Sequence, residues 1–439
     1  MNRLRSLSVA LLSFGFLLAA VALGTSQKAP PAVAEVPEKP AEAPKFWKGN
    51  LHTHSLWSDG DDYPEMIADW YKTHGYHFLT LSDHNILSDG ERWIPSEITP
   101  VRKKATEKYA ARFGENWLER CVVKDVPQVR LKPLREFRSL LEEHKKFLLI
   151  PGEEVTHAFA KRPIHMNAIN LRDLIKPVDG ATAEEAIRVN MKAIYDQQKK
   201  TGWPGIAFLN HPNFGWGVRA EDLFAIEELK YFEVFNGHPG VRNYGDATHA
   251  SSERIWDILL AVRLEKLKLP IVYGVATDDA HGYHEFGAGK VNPGRGWIMV
   301  RSYHLSAEGI VKAMHAGDFY ATSGVTLKEI GAKDGLLQLK IAVEEGVKYT
   351  TEFVATMAGI KIEATPVTDS EGKELDVTKR YPADIGKVVA TSTDAEPSYR
   401  FTGKELYVRA KVTSTKPHPN PYQTGDVECA WTQPVVPSR

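Results

Sequence analysis

Five short apolar runs in this chain each lead into a group of histidine, aspartate or glutamate residues. The first ends in Leu51-His52-Thr53-His54, with Asp59 five residues further on. The run 76–82 leads into Asp83 and His84, and 147–150 leads into Glu153 and Glu154. The run 205–209 leads into Asn210 and His211, and 271–276 leads into Asp278, Asp279 and His281. In a strand, side chains at i and i+2 share a face, so His52 and His54 point at one spot. A lone His-x-His is more often two polar residues on a wet face. Five such groups, each behind a predicted strand, argue instead for one site assembled from several strands.

Between these runs the chain turns helical. The spacing of apolar residues predicts helices over 64–74, 99–113, 134–144, 183–199, 251–266 and 306–315. Pro64 stands in the first turn of its helix and Gly75 just past the end. Strands are expected over 48–53, 76–82, 147–150, 164–169, 205–209, 231–235, 271–276 and 296–300. Apolar strands joined by helical crossovers imply an α/β fold with a mainly parallel sheet, open or closed into a barrel. In both forms, functional groups gather past the C-terminal ends of the strands.

After about residue 325 the helical period disappears. Short alternating stretches at 336–342, 387–390 and 405–412 are separated by Gly, Pro, Asp and Ser. They predict a small antiparallel β domain of sandwich-like form over 325–439. It holds one histidine, His418, and no acidic group at a strand end. Its expected role is a cap, a packing module or a surface facing a carbohydrate or a partner.

At 439 residues, 43% apolar and 25% charged, the chain has the composition of an ordinary globular protein. A net charge of −1 gives no field that favours nucleic acid or an anionic membrane. Cys121 and Cys429 are the only cysteines, which excludes a disulfide framework and a thiolate zinc site. Two separate buried thiols are expected, with pairing in an oxidising compartment as the alternative. Residues 1–24 read as an export signal: Arg3 and Arg5, then an apolar stretch from Leu7 to Leu23, then Gly24. An uncleaved anchor is the rival reading. Residues 25–45, rich in Pro, Ala and Glu, read as a tether. The expected location is periplasmic or secreted.

Without thiolates, zinc, manganese and iron take imidazole and carboxylate ligands. The candidates are His52, His54, Asp59, His84, Glu154, His165, His211, Asp279 and His281. Nine donors exceed one four-coordinate ion and suit two or three divalent ions sharing a carboxylate. Ions about 3.5–4 Å apart hold a hydroxide between them and need no serine or cysteine nucleophile.

The set His52-Thr53-His54, Ser58-Asp59-Gly60, Ser82-Asp83-His84, Gly152-Glu153-Glu154-Val155, His165, Asn210-His211-Pro212 and Asp279-Ala280-His281 resembles the PHP (polymerase and histidinol phosphatase) family. The resemblance spans about residues 48–315. It implies a distorted (β/α)7 barrel over 46–324 with up to three metal ions. It further implies one ion on His52, His54, Glu154 and Asp279, a second on Glu154, His165 and His211, and a third on Asp59, His84 and His281. It selects Glu154 over Glu153. Within the family the chain looks most like an exported branch that includes carbamate-hydrolysing metallohydrolases, on the strength of the insert between Asn85 and Phe147 and the C-terminal β module.

Other residues are candidates to support the ligands or touch substrate. Asp83 is expected to orient His84, and Asp278 to act similarly beside Asp279 or to cap its loop. Glu153 is expected to be supporting or solvated, and His157 rivals His165. His238 and His284 follow strand ends. Arg162, Arg219 and Arg242 are placed where a phosphate would want guanidinium groups. The expected function is an exported metal-dependent phosphoesterase acting on a small-molecule substrate through a metal-bridging hydroxide. Asp279 or His281 is expected to pass a proton to the leaving group. The alternatives are hydrolysis of an amide, ester or carbamate, and an inactive exported binding module.

Overall fold

A computed structural model describes residues 43–437, so the export signal and most of the tether lie outside the described residues. Local chemistry sets the helix ends where the sequence marks them. Pro64 opens helix Pro64–Thr73, with Gly75 at φ 77° just beyond it. Thr99, Thr182, Ser251 and Ser306 each accept a backbone N–H as the cap of the helix that follows. Helix Ser252–Val262 continues into a wider π turn, Arg263–Leu267, which ends one residue past the expected 251–266.

Seven strands carry the site. In sheet order they are Tyr273–Thr277, Tyr231–Asn236, Ile206–Leu209, Arg162–Ile169, Leu148–Phe159, Phe78–Leu81 and Lys45–Asn50. Pairing is parallel except at Arg162–Ile169, which is antiparallel to both neighbours. The fold is thus mixed α/β with one large sheet, and the expected closed barrel is not formed. The outer edge of Lys45–Asn50 is taken by Trp297–Ser302 running antiparallel, and the sheet continues through Phe319–Thr322 into the C-terminal strands. A single parallel bridge, Thr53–Ala280, joins the two ends of the seven-strand series.

The 147–150 run is much longer than its apolar core. Leu148–Phe159 pairs with Phe78–Leu81 through its first four residues, then folds back as a hairpin on Arg162–Ile169. The two-residue turn, Ala160-Lys161, has φ of 48° and 69°, the left-handed geometry that suits a strand twist. Glu153 and Glu154 therefore sit inside a strand rather than past its end.

The strand faces explain why polar groups gather where they do. Tyr231, Phe208 and Ile150 belong to one buried apolar cluster with Trp47, Phe78 and Val275. Glu233, Asn210 and Glu154 follow them by two, two and four residues, on the same strand face. The other face packs on helices Ala183–Thr201 and Ser252–Val262 through Ile187, Met191, Trp256 and Leu259.

The insert holds helices Pro100–Phe113 and Leu134–Leu141, plus a three-stranded antiparallel sheet of Arg92–Pro95, Val126–Leu131 and Arg120–Val123 that the sequence reading did not anticipate. Tyr109, Ile94 and Val129 pack with Leu56, Trp57 and Tyr63, so the insert is docked on the turn that follows His54. In the C-terminal region, Tyr349–Met357, Lys387–Ser392, Glu405–Pro417 and Val427–Thr432 extend the large sheet. A second antiparallel sheet, Leu327–Lys333, Leu336–Ile341 and Ser398–Arg400, shares a core with them through Leu337, Leu339, Phe353 and Val408. Cys121 and Cys429 are both free, the two separate thiols expected, though each is half-buried rather than buried. Among the described residues, no helix is long and apolar enough to cross a membrane.

Candidate metal centre

The centre is built around Glu154. Its Oε1 lies 3.4 Å from His52 Nε2, 3.0 Å from His165 Nδ1 and 3.3 Å from His211 Nε2. Its Oε2 lies 3.4 Å from His54 Nε2 and 2.7 Å from His84 Nδ1. Five imidazoles from three separate chain segments and the hairpin partner thus converge on one fully buried carboxylate. Asp279 forms a second focus: its Oδ1 is 3.2 Å from both His52 Nε2 and His54 Nε2, and its Oδ2 is 3.9 Å from His211 Nε2. Asp59 forms a third, within 3.4–3.6 Å of His281, His84 and His54. All nine candidate residues are brought together.

Local backbone chemistry fixes these positions. The ends of the first and last strands are tied by His54 N–H to Ala280 O at 2.9 Å and Asp279 N–H to His52 O at 3.0 Å. Asp279 adopts φ 49°, a left-handed conformation rare for a residue with a β-carbon. Asp59 rides on a turn closed by Ser58 and Gly60 N–H groups on Ser55 O. Gly60 passes so close that a β-carbon there would lie 2.5 Å from His54 O, so only glycine fits.

The electrostatics follow from burial among imidazoles. Burial alone would raise the Glu154 carboxyl, but His165, His52 and His84 hold it well below the usual carboxylate range. Asp279 is held low in the same way by His52, His54 and His281. His54, buried and flanked by His281, is pushed down to about 3 and stays neutral, as a ligand must be. His52 goes the other way: Asp279, Glu154 and Glu233 outweigh its burial and raise it well above the usual value.

The donor set fits divalent cations. His52 Nε2, His54 Nε2 and Glu154 Oε2 are buried and make no hydrogen bond of acceptable geometry, although each faces another group of the cluster at 2.7–3.4 Å. Buried polar atoms are rarely left so. Four groups have ligand atoms within 4.8 Å of one another: His54, Asp59, His84 and His281; His52, His54 and Glu154; His52, His211 and Asp279; His84, Glu154 and His165.

The sequence reading missed the residues that hold these ligands. Glu233 is buried, with Oε1 2.8 Å from His52 Nδ1 and accepting from Thr277 Oγ1, and Oε2 accepting from His211 N–H and Asn236 Nδ2. Asn210 Nδ2 donates to Glu154 Oε1, and Asn236 Nδ2 to Asp279 Oδ2. Thr156 Oγ1 lies 2.5 Å from His84 Nδ1. One signal was available: Glu233 is a lone carboxylate in the otherwise apolar run Tyr231-Phe232-Glu233-Val234-Phe235.

Several supporting candidates fall elsewhere. Asp83 does not orient His84; it accepts from Ser55 and Ser58 and braces the Asp59 turn. Asp278 accepts from Tyr71 OH and from the N–H groups of Arg295 and Gly296, on the other side of its strand from Asp279. Glu153 also points away, accepts from Ile175 N–H, and is pushed up to about 8 by burial. His157 faces Asp179 at 3.5 Å and leaves His165 to the centre. Arg162 and Arg219 are both held by Asp222, and Arg242 lies over the Trp216 ring. His284 is engaged by Lys108 and Asp61. His238 does reach the centre, with its ring edge-to-face on His281 at 5.4 Å.

The arrangement defines a buried histidine–carboxylate cluster on a mixed α/β sheet, of the kind that holds metal ions. No protein-family model and no curated protein matches the chain. Among solved structures, one that is similar is a two-domain protein from Bacteroides vulgatus ATCC 8482 containing an inferred PHP-like metal-dependent phosphoesterase. It is 15% identical, with a TM-score of 0.39, over 89% of this chain and 95% of that one. Another is a protein from Bifidobacterium adolescentis ATCC 15703 inferred to be a metal-dependent phosphoesterase, at 14% identity and a TM-score of 0.29, over 56% of this chain and 91% of that one.

Proposed function

We propose that this chain is a PHP-type metal-dependent hydrolase, exported by residues 1–24, that acts on a phosphate ester of a small molecule. The observation that carries the reading is Glu154, one buried carboxylate shared by five imidazoles.

In this reading His52, His54, Asp59, His84, Glu154, His165, His211, Asp279 and His281 hold two or three ions of zinc, manganese or iron. Such ions supply Lewis acidity and lower the pKa of water toward neutrality. The protein's own part is orientation. Glu233 accepts a hydrogen bond from the Nδ1–H of His52, so that a bound cation would take the place of the Nε2 proton, toward Glu154 and Asp279. The backbone oxygen of Asp279 does the same for His281 Nδ1, at 2.9 Å, leaving Nε2 toward Asp59. Asn210 and Asn236 fix the carboxylates of Glu154 and Asp279. With its Nδ1 proton on Asp279 O and its Nε2 toward Asp59, His281 has no proton free for a leaving group, and Asp279 is held ionised, so the proton transfer expected from either residue is not part of this reading.

A second reading, hydrolysis at an amide, ester or carbamate carbon, is favoured by the wall. Arg162 and Arg219 are turned to Asp222, and Phe214 packs against His211 at 5.1 Å. Metal analysis of the purified protein tests the shared part of both readings, and absence of Mn, Fe and Zn with no rescue on adding them overturns it. Rates on p-nitrophenyl phosphate, bis-p-nitrophenyl phosphate and naphthyl carbamate then decide between them.

A further inference from the structure

His238 lies beside the nine clustered residues but is not one of them. It follows strand Tyr231–Asn236 in a turn anchored from both sides. Its backbone N–H donates to Asn236 Oδ1 at 2.8 Å, and the Nδ2 of that asparagine donates to Asp279 Oδ2. Gly240 N–H donates to His238 Nδ1 at 2.9 Å. An Nδ1 that accepts is unprotonated, so the neutral ring carries its proton on Nε2. No described residue accepts that proton, and the side chain is half-buried. The ring stands edge-to-face to His281 at 5.4 Å and to Phe214 at 6.0 Å. A β-carbon on Gly240 would lie 2.9 Å from His238 Cε1, 3.0 Å from Nδ1 and 3.2 Å from the Phe214 ring. The Gly240 backbone thus both selects the tautomer and sets the plane of the ring.

We propose that His238 is a substrate-positioning residue whose Nε2–H donates a hydrogen bond to an oxygen of the substrate's phosphoryl group beside His281. This rests on the hydrolase reading and deepens it. With Arg162 and Arg219 turned away, a fixed imidazole donor replaces the guanidinium expected from the sequence.

The test uses the full metal-loaded protein, with p-nitrophenyl phosphate and naphthyl carbamate as substrates and inorganic phosphate as a calorimetric probe. His238→Ala is expected to raise KM and weaken phosphate binding about tenfold, the size of one hydrogen bond to a charged group, with metal content unchanged. His238→Gln, whose amide N–H reaches the Nε2 position, is expected to recover most of the loss, and His238→Asn is not. Gly240→Ala, which leaves the imidazole in place but displaces it, is expected to reproduce part of the defect. Unchanged KM and phosphate affinity in His238→Ala, or equal defects in the Gln and Asn variants, overturn the proposal while an active wild type leaves the hydrolase reading standing. A wild-type protein that binds no metal and turns over no substrate overturns both.

Discussion

Glu233 Oε1 lies 2.8 Å from His52 Nδ1, and both side chains are fully buried. The contact links two residues 181 positions apart in sequence and fixes the ring of His52, a proposed ligand. Removing the charge of a carboxylate that supports a metal-bound histidine typically lowers metal affinity about 10- to 100-fold. Glu233→Gln is expected to do so here with little change in fold. Competition titration against a chromophoric chelator measures it, and unaltered affinity would mean the pair is purely structural.

Metal removal is expected to lower stability as well as activity, because the ions bind the folded arrangement of Glu154, Asp279 and their imidazoles and not the unfolded chain. An ion at about 100 times its Kd adds about 2.7 kcal/mol. Thermal melts with and without chelator should therefore differ, and the difference should grow with the concentration of added Mn or Zn. Identical melts would argue against a metal centre.

A pH effect is expected away from the centre, at Glu65. This carboxyl is fully buried, accepts from Tyr109 OH at 2.5 Å, and is pushed up to about 7 by that burial from an ordinary 4.5. Its folded value lies above its unfolded one, so its contribution is fully present below about pH 4.5 and is lost as pH rises through about 7. The wild type should therefore lose about 3 kcal/mol relative to Glu65→Gln between those limits. Urea unfolding of both proteins at pH 4.5 and pH 8 checks this, and parallel pH profiles would refute it.

Asp257 and Arg409 join helix Ser252–Val262 to strand Glu405–Pro417. Arg409 donates to Asp257 from Nε at 2.9 Å and from Nη2 at 2.6 Å, and Tyr407 OH donates at 2.8 Å, with all three side chains buried. Removing Asp257 leaves the buried Arg409 only the longer contact to Glu253 at 3.7 Å, and breaking a buried pair in this way costs about 3–5 kcal/mol. Asp257→Ala should lower denaturant stability by that amount. The C-terminal strands and the helix should then lose cooperativity, read as a broader unfolding transition by tryptophan fluorescence, to which Trp256 and Trp431 contribute among the ten tryptophans of the chain.

Much of the centre was legible in sequence because its signals are short-range. His52 and His54 are two apart on an extended segment, Pro64 and Gly75 bracket a helix, and Asp279 and His281 follow one apolar run. Each fact depends on a few neighbouring residues and on the two- and 3.6-residue periods. The hairpin that places Glu154 inside Leu148–Phe159 was less legible, because its turn is Ala160-Lys161 and carries no glycine or asparagine.

By itself the sequence determined the donor chemistry: nine imidazoles and carboxylates, ordered along an alternating α/β chain, with no thiolate among them. Only the tertiary structure decided which of them meet, and what holds them. It gave Glu233 to His52, turned Arg162 and Arg219 to Asp222, and let Trp297–Ser302 occupy the strand edge that a closed barrel would need. The physical reason is range. Propensity and periodicity act over a few residues. A buried carboxylate finds its partner, and a strand its neighbour, only through packing between segments far apart in the chain, where desolvation makes each unpaired group costly.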